Sequence, residues 1–500
     1  MLVKPVPLQS TMLVAMTVET SNGYHLVSAL FLRLLGIIYL IAFTSIAQQV
    51  EGLAGSQGIL PFAEKLAYLE TQHGIERFFQ LPNIFWLNAS DQALTGAAIA
   101  GCIASILIIF NRLPRLALIT TFVLYLSLYH ANREFLNFQW DGLLLEAGFL
   151  AIFLTPRSRA VVLLFRWLLF RLRFMSGISK LSMHDPTWSG FTALNTYFEV
   201  QPLPTPLAWY AQQLPEWLLR SGTAATLVVE ILVPFMMFLP RRWRFAAAWI
   251  TILWQVLIIL TSNHNWINFL TIILCLFLFD DKAVRRILPP RFQATLLKQT
   301  DTSTHNGRIR KAAVGVLATF ILVTSSVHLW ELTTMQRSSG IAGTLLDYAE
   351  AYRIVSKYHI FPTMKTERIE LELSGSQDGS EWKTYVFKYK PGDIYARPRV
   401  VLPFQPRLDW QMWFVTLNPR HIPWFYDFLQ ALLDNSPTVT ALLQHNPFPD
   451  KAPRYISVGA YRYRFSSPEQ RKKTGQWWQR EALGPFMPLP WVERTGSSSR

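Results

Sequence analysis

Of the 500 residues, 51% are hydrophobic and only 16% are charged, which excludes a disordered chain and points away from an ordinary soluble protein. The formal charge of +15 comes with no zinc-ligand spacing, RNP-like string or helix-turn-helix signature, so nucleic acid is not an expected partner. The basic residues sit in short loops between apolar runs, as in a polytopic membrane protein.

The first apolar run covers residues 27–47, behind an N-terminal segment 1–26. No cleavable signal peptide is recognisable, and a run of transmembrane length suits an uncleaved start-transfer anchor. Further runs at 93–110, 116–131, 139–155, 160–181, 222–239, 245–261, 265–279 and 312–330 give an expected α-helical bundle of about nine spans over 27–330. Some are shorter than the roughly 20 residues needed to cross alone, which neighbouring helices and local bilayer thinning accommodate.

Loop charge sets the orientation. NRLPR (111–115), PRSR (156–159), PRRWR (240–244) and the segment Lys282 to Lys311 are basic, whereas loop 48–92 holds Lys65 and Arg77 against Glu51, Glu64, Glu70, Glu76 and Asp91. Basic and non-basic loops alternate, so the N-terminus is expected in the cytoplasm and the C-terminal domain outside. Loops 48–92 and 182–221 face outward and are too long to be plain connectors. In the second, Trp188, Trp209, Tyr210 and Trp217 among prolines suit a segment at headgroup level. Asn88-Ala-Ser90 in the first is a glycosylation sequon, relevant only in a host that glycosylates there.

Residues 340–500 read as a soluble, β-dominated domain. IELEL (369–373), turn-forming SGSQDGS and WKTYVFKYK (382–390) predict a hairpin; YISVGAYRYRF (455–465) predicts a late strand with Tyr461, Tyr463 and Phe465 on one face. Ile422 to Asn435 has helical spacing. The two cysteines, Cys102 and Cys275, lie in apolar segments, so the outward parts have no disulfides.

Ionisable residues inside spans are costly and therefore candidates for function. The cluster comprises Asp141 and Glu146 on the fourth span, Arg166, Arg173 and Lys180 at seven-residue spacing on the fifth, which also carries Arg171, and Glu230 on the sixth. Three readings stand: an internal salt-bridge network that fixes packing, a reactive or substrate-binding cluster, and snorkelling at the span ends. Arg173 is expected to pair with Glu146 or Asp141. His184–Asp185 could orient an imidazole, but turn chemistry before Pro186 is the simpler reading, and His264 is expected to be structural. No nucleophile elbow, P-loop, dinucleotide fingerprint or metal-ligand spacing occurs, so no cofactor and no metal are expected.

FQWDGLLLEAGFLA, DPTWSGFTAL, FEVQPLPTPLAWYAQQLP, QPRLDWQMWF and PRYISVGAYRYRFSS…GQWWQRE resemble the lipase maturation factor family, a likeness covering about residues 27–490. The resemblance implies a membrane-embedded folding factor with an outward C-terminal domain, assisting exported clients such as lipases. The absence of a retention signal and of outward cysteines suits a bacterial inner-membrane member with a periplasmic domain; a eukaryotic member would face the endoplasmic reticulum lumen. A shorter stretch, GISKLSMHDPTW (177–188), is similar to vitamin K-dependent γ-carboxylases and HTTM proteins, and by that match Lys180 would be a catalytic lysine. The expectation is therefore a folding factor whose partners are membrane lipids and exported proteins, the alternative being a membrane enzyme using Lys180. Trp413, Trp424, Trp477 and Trp478 are the candidates for client contact, through exposed aromatic surface.

Overall fold

The computed structural model describes residues 24–155, 158–298 and 307–493. The expected cytoplasmic segment 1–26 falls almost wholly outside them, as do residues 156–157 of the PRSR loop. The molecule is mostly helical and ends in a small antiparallel sheet.

A helix forms at each of the nine expected segments: α1 (His25–Ala47), α2 (Asp91–Ile109), α3 (Pro114–Ala131), α4 (Gln139–Ile152), α5 (Arg159–Ser182), α6 (Glu216–Ile231), α7 (Arg241–Thr261), α8 (Trp266–Leu274) and α9 (Arg308–Thr334). Five of these, α1, α2, α6 with its extension to Met236, α7 and α9, are long and apolar enough to cross a membrane by length and composition. The other four depart for identifiable reasons. Ion-pairing residues lower the hydropathy of α5, α3 is polar at both ends, and α4 has 14 residues. At 1.5 Å per residue α4 spans about 21 Å against a hydrocarbon core of about 30 Å. α8 runs on as the 3-10 turn Cys275–Leu278, and α6 is interrupted before Pro234, whose ring cannot continue the ladder. Close packing of α1 depends on glycines: a Cβ at Gly101 of α2 would collide with the Phe43 ring, and one at Gly148 of α4 with Tyr39.

The two ends of the bundle gather different loops. At one end Asp281 accepts the amides of His25, Leu26 and Val27 at 2.9–3.0 Å, Arg241 pairs with Asp280 at 2.6 Å, and Arg310 donates to Phe153 O at 2.8 Å. At the other end lie loops 48–92 and 182–221 and the C-terminal domain.

The sheet has the order β2–β1–β3–β4, with β5 also on β3: β1 is Arg368–Ser376, β2 Lys383–Thr384, β3 Tyr455–Phe465, β4 Trp478–Pro485 and β5 Trp491–Glu493. β3 and its Tyr461/Tyr463/Phe465 face form as the alternation predicts. The hairpin does not: WKTYVFKYK contributes only two residues of strand, and β1 takes β3 as its main partner over nine residue pairs. Tyr385 N still donates to Leu373 O (2.9 Å), but Val386 then bridges His445, and Tyr389 N and Lys390 N donate to Asp409 (2.7 and 2.9 Å). Helices α10 (Gly340–Ala351), α11 (Arg407–Val415) and α12 (Ile422–Leu433) share the domain with the sheet, so it is mixed rather than β-dominated.

The sheet is buried on both sides. Leu371, Leu373, Ile456, Val458 and Ala460 join one core with Trp424, Phe425 and Phe428 of α12. Tyr463 and Phe465 on the opposite face join Trp477, Trp478, and Phe198 and Trp209 of loop 182–221. Trp209 donates to Ser466 O (2.9 Å) and Trp188 to Phe361 O (3.2 Å). Both are protein core rather than headgroup anchors; Tyr210 and Trp217 are the exposed pair.

On that second face Glu370 bonds Arg368 at 2.6 Å and Lys390 at 2.8 Å. Burial alone would raise its pKa, but Lys390 and Arg368 outweigh burial and hold it below the usual glutamate range. A carboxyl depressed on folding contributes stability that is present above its unfolded pKa and lost as pH falls through the folded one. Amide exchange in β1 of the intact protein should therefore accelerate as pH is lowered below about 4.3, after correction for intrinsic exchange. Glu370→Gln should lose that acid dependence; the same acid response in the variant would assign it to another group.

Candidate functional site

The charged residues within the bundle do not form one network, and the structure redistributes their partners. Asp141, in the first turn of α4, meets Arg407 of α11 as a two-pronged pair, both bonds 2.8 Å. Both side chains are wholly buried. Tyr125 Oη donates to the same carboxylate at 2.6 Å, and Arg407 also donates to Phe135 O at 3.1 Å. The guanidinium lies 5.3 Å from the Trp266 ring centroid.

The local sequence explains how Arg407 arrives there. Pro406 biases Gln405 toward extended backbone and starts α11 at the next residue, so the Gln405 backbone has no helical partner. Side chains from the end of α1 meet those groups. Gln405 N donates to Ser45 Oγ (3.1 Å), and Ser45 Oγ and Gln49 Nε2 donate to Gln405 O (3.1 and 2.9 Å). Arg407 N donates to Gln49 Oε1 (2.8 Å), and Asn265 Nδ2 to Gln405 Oε1 (2.9 Å). Trp140 and Trp410 pack edge to face, centroids 5.0 Å apart. The 405–410 stretch thus seats on the start of α4.

A second segment anchors deeper. Glu146, about one turn further along α4, forms a salt bridge with Arg171 of α5. It also accepts Tyr358 Oη (2.9 Å) and Ser356 N (3.1 Å), while Arg171 donates to Ser356 O (3.2 Å). The chain between α10 and β1 therefore runs into the bundle and is held by its carboxylate.

Arg173 and Lys180 share Glu230 of α6, at 3.2 and 2.7 Å. The seven-residue spacing does place these two on one face, but their partner is neither Asp141 nor Glu146. Arg166 stands apart, donating to Phe277 O (2.8 Å) and Tyr24 Oη (2.6 Å). Lys180 has all three protons engaged, by Glu230, Ser176 O (3.1 Å) and Ile360 O (2.8 Å), and lies 5.0 Å from the Trp188 ring centroid. Asp185 caps the turn at Thr187 N (2.9 Å) and accepts Met364 N (3.1 Å), which is turn chemistry rather than an imidazole partner. His264 is buried against Phe361 and Tyr197. Among the described residues no group of three or more His, Cys, Asp or Glu could hold a metal ion.

Trp424, Trp477 and Trp478 lie in the cores, and half-buried Trp413 donates to Val200 O (2.7 Å). In this conformation the four frame the domain and present no exposed aromatic patch. A cavity of about 1030 Å³ opens instead at the seam of loop 48–92, the turn after α3, and α12, with Leu60, Phe135 and Ala431 beside Lys65, Arg133 and Asp434.

A family model described as the lipase maturation factor transmembrane domain matches residues 26–286, and one described as its C-terminal domain matches 354–488. The chain belongs to the lipase maturation factor family. Similar relatives include lipase maturation factor 2 of Gallus gallus, 33% identical over 92% of this chain and 80% of that protein. The Homo sapiens lipase maturation factor 2 is 31% identical (93% and 83% covered), and the Bos taurus lipase maturation factor 1 is 31% identical (94% and 89%). No solved structure matches. As a member of this family the protein is a membrane-embedded maturation factor, and the carboxylase-like alternative through Lys180 is not favoured.

Two predictions follow from the pairing. Arg407→Met strands a buried carboxylate and should cost roughly 3–5 kcal/mol, read as a lower melting temperature in detergent. Asp141→Asn combined with Arg407→Met should recover a large part of that loss; purely additive losses would contradict the pair. At the other cluster Glu230 carries one negative charge for two cations. Glu230→Gln strands both and should lower folded yield more than Arg173→Met or Lys180→Met, each of which leaves a one-to-one pair. Equal yields from the three variants would contradict the shared carboxylate.

Proposed function

We propose that this protein assists the folding or assembly of exported lipases, holding its C-terminal domain rigidly on the outer face of a bundle in which all nine helical segments cross. The observation that carries the reading is the seating of the family's C-terminal domain on the buried carboxylates of its transmembrane domain. The crossing of all nine is supported by the clustering of alternate helix ends, basic loops at one end and long loops at the other. Loop charge then assigns the basic end to the cytoplasm and the C-terminal domain to the periplasm or lumen. The soluble domain spans 340–500 and the bundle 27–330.

Client contact falls on the seam cavity rather than on Trp413, Trp424, Trp477 and Trp478. Apolar walls beside charges of both signs suit a transient partner that has not finished burying its own surface. Lys180, Glu230 and the α4 carboxylates serve as structural ion pairs in this reading.

Single-cysteine labelling in a background lacking Cys102 and Cys275 tests the orientation: positions 115 and 241 should react only from the cytoplasm, and positions 57, 195 and 378 only from outside. Photo-crosslinkers at Lys65 and Asp434, both exposed on the cavity wall, should capture a newly exported lipase, while crosslinkers at Arg115 and Arg241 should not. Capture from the basic end alone, or from neither, would overturn the assignment.

A further inference from the structure

We propose that α10 and the adjoining segment 75–79 form an apolar collar seated in the outer leaflet of the bilayer, at the boundary between phospholipid headgroups and acyl chains, a reading that rests on the crossing of α9. At about 100° per residue, α10 divides into three stripes. Leu346 and Ala349 are buried against the protein. Asp347 and Glu350 lie on a second side, where Glu350 meets Arg133 (3.4 Å) and Arg353 (3.5 Å). Ile341, Leu345 and Tyr348 lie on the third side, with Ile341 91% and Tyr348 51% exposed. An ordinary surface helix has one buried and one solvated face. A further, uncharged apolar face is the pattern of an interfacial helix.

The position of α10 identifies what covers that face. Val316, Val323 and Trp330, seven residues apart on one side of α9, are 45–72% exposed. They form a lipid-facing stripe that ends in a tryptophan suited to headgroup level. The connection 335–339 follows, in which Ser338 N donates to Glu331 Oε1 (2.9 Å), and α10 turns back against α9. Its far end is held where His130 Nε2, near the outer end of α3, donates to Ala351 O (2.9 Å). α10 thus runs along the rim of the bundle from the outer end of α9 to that of α3, a span of about 18 Å at 1.5 Å per residue.

The one-turn helix Arg77–Gln80 packs beside α10. Its Phe78 and Phe79, with the preceding Ile75, add three exposed apolar side chains to the rim. Apolar surface that continues a lipid-facing stripe at the same end of the bundle meets the same solvent. The seam cavity differs, since its walls carry charges of both signs. Loop 48–92, which supplies Phe78 and Phe79, also walls that cavity through Leu60 and Lys65. A collar seated in the leaflet therefore holds the mouth of the cavity at the membrane surface.

The test places single spin labels on Phe79→Cys, Ile341→Cys and Tyr348→Cys in the full chain lacking Cys102 and Cys275, reconstituted in phosphatidylcholine nanodiscs. Collisions with oxygen, which concentrates among acyl chains, should dominate at all three positions over collisions with a water-soluble nickel chelate. At Asp347→Cys the order should reverse. A label on Val323→Cys reports the crossing of α9 separately. Oxygen dominance at 323 with nickel dominance at 341 and 348 would overturn the collar alone, whereas nickel dominance at 323 would overturn the crossing and the collar together. In membranes exporting a lipase, a photo-crosslinker at Tyr348 should add the mass of a phospholipid; a lipase adduct there in its place would overturn the choice of lipid as partner.

Discussion

The arrangement of the whole protein depends on one buried ion pair, Asp141 with Arg407. Removing two charges from water is expensive, and the mutual attraction compensates only where geometry is good and the remaining donors and acceptors are satisfied. The geometry here is good: the contact is two-pronged, Tyr125 fills another acceptor site on the carboxylate, and Phe135 O takes a further guanidinium proton, which leaves Arg407 Nε without a hydrogen-bond partner among the described residues. Such a pair tolerates little displacement. It therefore fixes where α11 sits, and through α11 the position of the sheet and α12.

The short α4 gives this pair its setting. With 14 residues it is shorter than α1, α3 and α5, and Gln405, Arg407 and Trp410 pack beside its start. Glu146 repeats the device with Ser356 and Tyr358. Two carboxylates on one helix thus hold two separate segments of the C-terminal chain. A maturation factor that works on unfinished clients needs such a frame: the surface offered to the client must keep its shape while the client changes.

Features with local periodicity were legible in the sequence. The positions of the nine helices, the strand 455–465 and the helix from Ile422 follow from apolar runs, alternation and helical spacing, and the quoted strings placed the family. The partners of the buried charges were not legible. Asp141 and Arg407 are 266 residues apart, and nothing in either local sequence ties them together, whereas α5 offered cations only about thirty residues away. QPRLDWQMWF contains Arg407, but its aromatic content predicts exposed surface at Trp413 and not a buried charge. The failure of the expected hairpin has a similar origin: residues remote in sequence, His445 at Val386 and Asp409 at Tyr389 and Lys390, hold the backbone that a second long strand would have used. The tryptophans reveal the same limit, since burial on the second face of a sheet depends on loop 182–221 and cannot be read from the strand itself.

The central claim, that the C-terminal domain is held rigidly on the bundle by Arg407 and Asp141, is tested most directly by pulsed electron resonance distances between two spin labels. Leu87 on loop 48–92 and Lys451 before β3 are both exposed and suit labelling in a background lacking Cys102 and Cys275. A single narrow distance distribution is expected in the otherwise native protein, broadening in Arg407→Met. A broad distribution in the native protein, or a narrow one that survives loss of Arg407, would contradict the account.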